Sequence, residues 1–387
     1  MGRIEYPGVY VEETTARVHP IEGVPTSTAA FVGPVSGGRV DAAISITGLA
    51  DYEREFGPSS DNDPMHVALR LYFDNGGSEA VVVGLAGDGP AEAVAAGALA
   101  ALDPADRFDM LCLPGLYPST PAATPTDVAT VAAALERASD YCRASGAILL
   151  VDPLPEWGSA ADVMAGLGGI ETAAPDLRSE NVAVFFPNLL VGTPERSEPA
   201  APAGAVAGVI ARTDRARGIW KAAAGSEATI AGAVGVTASL DTAATGTLAD
   251  AGVNTIRQFT GQGSVVWGAR LLASRTRAEP EWKYIPVRRF QLFLERSIDA
   301  GLGWATFEPN DEPLWADVRE AIGGFLHGLF RQGAFPGRTP REAYFVKCDR
   351  DTTTQADIDN AVLNVLIGFA PTRPGEFVTF RVQRRLA

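Results

Sequence analysis

Short apolar runs alternate with stretches of helical spacing through the first half of the chain, and that alternation restricts the fold more than any other feature. Residues 80–84 (AVVVG), 110–115 (MLCLPG), 147–152 (AILLVD) and 182–187 (VAVFFP) are runs of strand length, apolar on successive positions. Such runs fit strands buried on both faces. Residues 28–33 (TAAFVG) form a further strand with small side chains. Between the runs, residues 65–75 (MHVALRLYFDN) and 127–144 place apolar residues at helical intervals, and the first of these stops at Gly76-Gly77. Residues 51–57 read as one short helix ending at Gly57. Strand–helix alternation predicts an α/β layer on a mostly parallel sheet. Residues 194–202 (PERSEPAAP) read as a surface loop, followed by a Gly/Ala-rich helix over 203–214.

Past about Gly225 the texture changes. Residues 248–259 and 265–270 carry strand-like runs with glycine turns. Residues 288–299 are amphipathic and helical, and 313–330 form a second helix with Pro313 in its first turn. Residues 343–349 are a strand and 355–364 a helix, and the chain ends in residues 376–384 (EFVTFRVQR). There Val378, Phe380 and Val382 fall on one face at period two. The reading is an N-terminal arm over 1–25, an α/β domain over 26–215, an α+β domain over 216–375 and a terminal strand over 376–387. At roughly 100–200 residues per domain, 387 residues accommodate this.

Charge divides the chain at a similar place. Residues 1–252 carry a net −18 and residues 253–387 a net +3, so the two parts meet different neighbours. An acidic first part argues against wrapping nucleic acid, which requires a basic face. No apolar stretch approaches the ~18–20 residues of a membrane span, so insertion into a bilayer is not expected. Residues 1–7 (MGRIEYP) lack the apolar centre of a signal peptide, and folding in the cytoplasm is the expectation. Cys112, Cys142 and Cys348 and the three histidines show no ligand spacing. Structural cysteines and no metal or cofactor are expected.

Both extremities read as β-strands. Around Val9, Tyr10, Val11 and Glu12 a β-prone segment stands ahead of a polar stretch with Pro20, Gly23 and Pro25. A lone terminal strand must find an edge for its backbone donors and acceptors. Pairing within the chain satisfies it, and so does pairing with a neighbour's sheet. A head-to-tail contact of the second kind that does not close builds a helical filament.

Residues 7–13 (PGVYVEE) and 23–33 (GVPTSTAAFVG) resemble the opening of the phage tail sheath family. Residues 218–222 (GIWKA), 252–257 (GVNTIR), 266–270 (VWGAR), 282–289 (WKYIPVRR), 307–310 (FEPN) and Leu314-Trp315 are similar to later segments of that family, in its order. Residues 35–215 match only in texture. The resemblance implies a structural, contractile sheath subunit that polymerises, as stacked hexameric rings, around an inner tube. It implies terminal arms exchanged between subunits, through Val9, Tyr10, Val11, Glu12, Phe377, Val378, Phe380 and Val382. It also implies an outward α/β domain, a tube-facing C-terminal domain, and baseplate and tail-terminator or cap partners. Assembly in the bacterial cytoplasm, into a phage tail or a released particle like the antifeeding prophage, follows from the same likeness. Tube contacts are expected from a helix within 313–332 or 355–364, with Arg319 and Asp359 as candidates.

Partial motifs do not support chemistry. Gly261-Gln262-Gly263 lacks the third glycine of a dinucleotide fingerprint, and neither a phosphate loop nor a G-x-S-x-G elbow is present. Asp51, Glu53 and Glu55 spread around a helix rather than converging. Arg288-Arg289 suits an ion pair better than an anion site. The alternatives are a soluble α/β enzyme of oxidoreductase type with its terminal strands at home, or another self-assembling shell or surface-layer subunit.

Overall fold

The computed structural model describes residues 19–58, 60, 63–87, 89–103, 105, 107–117, 127–193, 195–275, 280–371 and 378–386. The first layer runs β1 (Ala29–Pro34), β2 (Ala43–Ile46), α1 (Leu49–Phe56), α2 (Pro64–Asp74), β3 (Ala80–Leu85), α3 (Pro90–Ala96), β4 (Met110–Cys112), α4 (Val128–Ser145), β5 (Ile148–Val151), α5 (Ala160–Ala173) and β6 (Val182–Phe186). The chain continues through β7 (Leu189–Thr193), β8 (Arg196–Ala200), α6 (Ala203–Arg217), β9 (Ala233–Val236), α7 (Thr242–Asp250), β10 (Val253–Phe259) and β11 (Gly263–Val266). It ends with α8 (Ile285–Gly301), α9 (Glu312–Arg331), α10 (Pro340–Ala343), β12 (Tyr344–Lys347), α11 (Gln355–Asp359), β13 (Val362–Phe369) and β14 (Val378–Arg385).

The large sheet has the order β11-β10-β6-β5-β4-β1-β3-β2. Neighbours from β10 to β3 pair parallel, while β2 and β11 close the edges antiparallel. Alternate residues supply two cores. Ala30, Val32, Val81 and Val83 face one with α3, α4 and α5, and Ala29, Phe31, Ala80 and Val82 face the other with α2 and α6. Two glycines let α6 lie against α2. A Cβ on Gly204 would sit 2.3 Å from the Ala68 carbonyl oxygen, and one on Gly208 would sit 2.4 Å from that of Tyr72.

A smaller antiparallel sheet, β8-β7-β9, stands where a loop over 194–202 was expected. β8 is an edge strand, and Pro199 sits opposite Leu190. A proline is tolerated at such an edge, because its missing N–H removes no bond from a central ladder.

The third sheet is β12-β13-β14. The helix expected over 355–364 ends at Asp359; Ala361 turns the chain at φ 55° into β13. β10 and β11 belong to the large sheet, so that layer runs past the 215/216 division read from texture. The stretch read as strand-like from residue 248 begins in α7 and becomes strand only at Val253. Helix α8 serves two cores. Ile285 and Leu292 pack with the large sheet, whereas Phe290, Leu294 and Ile298 join α9 and the third sheet.

Candidate assembly interface

β14 owes its orientation to its sequence period. Val378, Phe380 and Val382 are buried, and Thr379, Arg381 and Gln383 face outward. Phe380 meets Phe369 edge-on, with ring centroids 6.4 Å apart. The strand pairs antiparallel with β13 along its whole length, from Val362 opposite Arg385 to Phe369 opposite Val378. Among the described residues, no strand is paired to the outer edge of β14 or of β12. Val9, Tyr10, Val11, Glu12 and Phe377 lie outside the described residues.

The N-terminal stretch that is described lies along the body of the same chain. His19 stacks on Trp304, with centroids 4.0 Å apart. Ile21 fills the space over Gly301, where a Cβ would come within 2.7 Å of its side chain. Val24 N–H donates to Ser297 Oγ (3.1 Å), and the Tyr72 hydroxyl donates to the Ser27 carbonyl (2.8 Å). Residues 19–25 of the expected arm are thus strapped to their own α8.

That strap is fastened by a buried charge cluster. Arg289 on α8 donates to both Asp214 carboxylate oxygens, at 2.9 and 2.7 Å, and to the Thr26 carbonyl at 2.6 Å. The two side chains are 5% and 4% exposed. Arg296 reaches Asp109 at 2.8 Å and donates to the carbonyls of Phe108, Ser145 and Gly146. Burial pushes the Asp109 carboxyl up to about 6, against the pull of Arg296 and Arg289. Burial alone would lower the Arg289 guanidinium, but the Asp214 and Asp109 carboxylates outweigh it and raise it. The expectation of an ion pair at Arg288-Arg289 holds for both: Arg289 pairs with Asp214 and Arg288 with Glu180 at 3.4 Å. Arg288 also lies over the Trp282 ring and donates to Asn181 Oδ1 at 2.9 Å. The cluster itself was missed in sequence. Its signal was the seven-residue interval between Arg289 and Arg296, which puts both on one helix face.

The two tube-contact candidates stand on separate elements. Arg319 donates to the Cys348 carbonyl and to Glu312 Oε1 (2.9 Å), tying α9 to the end of β12. Asp359 is exposed at the end of α11 and accepts from Gln355 (2.8 Å). Among the described residues, no group of three His, Cys, Asp or Glu could hold a metal ion, and no helix is long and apolar enough to cross a membrane.

A groove of about 840 Å³ opens beside β10. Trp220, Trp267 and Tyr284 contribute aromatic surface and Ala249, Val253 and Val287 aliphatic surface. Arg217, Lys221, Arg257 and Arg270 also line it. Glu227 pairs with the first two, and Asp250 lies 3.4 Å from Arg270. Arg257 lies over the rings of Phe259 and Trp267. Segments 218–222, 252–257, 266–270 and 282–289, which carry the sequence resemblance, meet in this groove.

Residues 88–270 match the phage tail sheath protein central domain, and residues 277–385 match the phage tail sheath C-terminal domain. The chain belongs to the phage tail sheath family. The helical sheath of the anti-feeding prophage (AFP), solved in its contracted state, is 30% identical with a TM-score of 0.74, over 98% of each chain. A chain of the AFP baseplate structure is 31% identical, with a TM-score of 0.71 over 96% of this chain and 97% of that one. The sheath complex of the extracellular contractile injection system PVC, also contracted, is 27% identical with a TM-score of 0.75, over 98% of this chain and 97% of that one. A search of curated proteins gave no match. This sheath-family chain is a contractile sheath subunit of the injection-system kind, and its family is a structural one.

Proposed function

We propose that this sheath subunit polymerises as stacked hexameric rings around an inner tube, exchanging its terminal strands with neighbours. The observation that carries the reading is β14: a complete edge strand, paired at full register, at the end of a connector. Residues 370–377 reach at most about 25 Å of extended chain, and that length is what limits delivery of the same strand to a neighbour's β13. Exchange of an identical element preserves every hydrogen bond of the closed form. The N-terminal segment around Val9, Tyr10, Val11 and Glu12 supplies a further strand for an open edge. Phe377 belongs with the terminal strand in this scheme.

The α/β layer, which lies mostly within the net −18 of residues 1–252, faces outward, and the near-neutral C-terminal part faces the tube. Asp359, exposed on α11, is the better tube-contact candidate, since Arg319 is held by Cys348 and Glu312. The particle assembles in the bacterial cytoplasm on a baseplate and ends in a terminator or cap. Contraction releases conformational energy stored during assembly and drives the tube through a target envelope. No bond-making chemistry is involved.

Deleting residues 1–20 tests the exchange. The truncated chain should fold and stay soluble, because apart from the His19 stack on Trp304 the lost bonds are intermolecular, yet form no cylinders by negative-stain microscopy. Cylinders formed as readily as by the full chain would refute it.

A further inference from the structure

The most exposed large apolar side chain among the described residues is Phe307, 83% exposed. It ends a 3-10 turn, Gly303–Phe307, that is pinned rather than loose. Thr306 Oγ1 donates to the Gly303 carbonyl (2.9 Å) and accepts from Arg384 Nε (3.0 Å). A lone exposed ring needs no explanation by itself. This one is displayed on a fixed turn in an acidic run: residues 297–318 contain Asp299, Glu308, Asp311, Glu312 and Asp317 and no Lys or Arg. Of these, Asp299 and Glu312 are paired with cations of the same chain, Arg384 at 3.5 Å and Arg319 at 2.9 Å.

The groove beside β10 is its complement. It offers aromatic and aliphatic lining, with Trp267 itself 40% exposed. Its four cations exceed the in-chain carboxylates of Glu227 and Asp250, so the rim keeps positive charge for an acidic visitor. An apolar knob in one place and a matching pocket in another, on the same chain, give a heterologous contact that propagates instead of closing.

We propose that Phe307 of one subunit seats in the groove between Trp267 and Tyr284 of a second copy, with the surrounding carboxylates facing Arg257 and Arg270. This rests on the polymeric reading above and names a contact separate from strand exchange. Because the turn is already held, seating the ring orders little new structure, which favours an energetic anchor.

The test places p-benzoylphenylalanine at 307, which keeps an aromatic ring, in an untagged chain mixed with tagged wild-type chain. After illumination of assembled cylinders, crosslinked dimers should map to residues 217–222, 242–257, 267–270 or 284–287 of the tagged copy. Phe307→Ser and Arg257→Glu should each raise the concentration needed for assembly about tenfold or more, with Phe307→Ser leaving the melting temperature unchanged. Cylinders whose crosslinks map elsewhere, or to another protein, would overturn the groove assignment and leave polymerisation standing. Wild-type chain that forms no cylinders would overturn both.

Discussion

Asp214→Ala should be among the most damaging single changes outside the sheets, and its cost follows from what it leaves behind. Arg289 would keep its place, 5% exposed, with the Thr26 carbonyl as its remaining close partner. Its Nε already has no hydrogen-bond partner, so little capacity exists to compensate. Removing one member of a buried pair costs about 3–5 kcal/mol, because the other charge is stranded. At about 2–4 °C per kcal/mol for a domain of this size, the melting temperature should fall by about 10 °C. The exposed pair Arg217–Glu227, 52% and 63% accessible, is the control. Glu227→Ala should cost at most about 1 kcal/mol. Thermal unfolding followed by circular dichroism, at a concentration where the chain stays unassembled, measures both. The double change Asp214→Leu with Arg289→Met should recover most of the loss, since it strands no charge. Equal shifts for Asp214→Ala and Glu227→Ala, or a double variant no better than the single, would refute the reasoning.

Further outcomes are expected. Burial raises the Asp152 carboxyl to about 7, against the lowering bond from the Ala203 N–H at 2.8 Å. A raised acid contributes stability that is present below its unfolded value and lost as pH rises through 7. Asp152→Asn should therefore be the more stable protein at pH 8, by up to about 4 kcal/mol, and equal to wild type near pH 4; melting curves across that range would expose a constant difference. Gly204→Ala should destabilise by about 1–3 kcal/mol, as its Cβ would strike the Ala68 carbonyl, even though alanine is the better helix former; a raised melting temperature would contradict the close packing of α2 and α6. Phe380→Asp should cost several kcal/mol and abolish both extended and contracted cylinders under the microscope. Extended cylinders that survive but no longer contract would make β14 a trigger rather than a joint.

Where burial on both faces dictated composition, the sequence was easy to read. Strands β3 and β6 are continuous apolar runs because both faces of the large sheet are covered, and they lie within a residue or two of where pattern placed them. Elements fixed by distant partners were harder. β8 is polar and contains a proline, and it exists because β7 offers an edge. β13 follows directly on α11 and is apolar on both faces, so it has no period-two signature to separate it from a helix tail. β10 pairs with β6, about seventy positions earlier, and no local texture reports such a pairing. The Asp109, Asp214, Arg289 and Arg296 cluster escaped for a related reason, since its acids and bases come from three separate segments, with only the two arginines sharing a helix.

The terminal strand shows why the proposed assembly site in particular is half legible. Period two decides which face of β14 is buried, because Val378, Phe380 and Val382 need a core. The backbone hydrogen bonds that join it to β13 carry no side-chain signature, so the same residues satisfy a closed subunit and an exchanged one equally. The balance between the two therefore rests on everything except the strand: the reach of residues 370–377, the concentration of subunits, and whatever contacts neighbours make elsewhere. A closed strand is held at the effective concentration of its own short connector, of millimolar order. An exchanged strand in a forming ring competes with that only if another contact holds the neighbour in place. A second anchor such as Phe307 in the β10 groove would supply that hold, so that subunits meet first and strands exchange afterwards. On this scheme Phe307→Ser should slow exchange of β14 between subunits without altering the β13–β14 register within either, a difference that hydrogen exchange at residues 378–385 can follow.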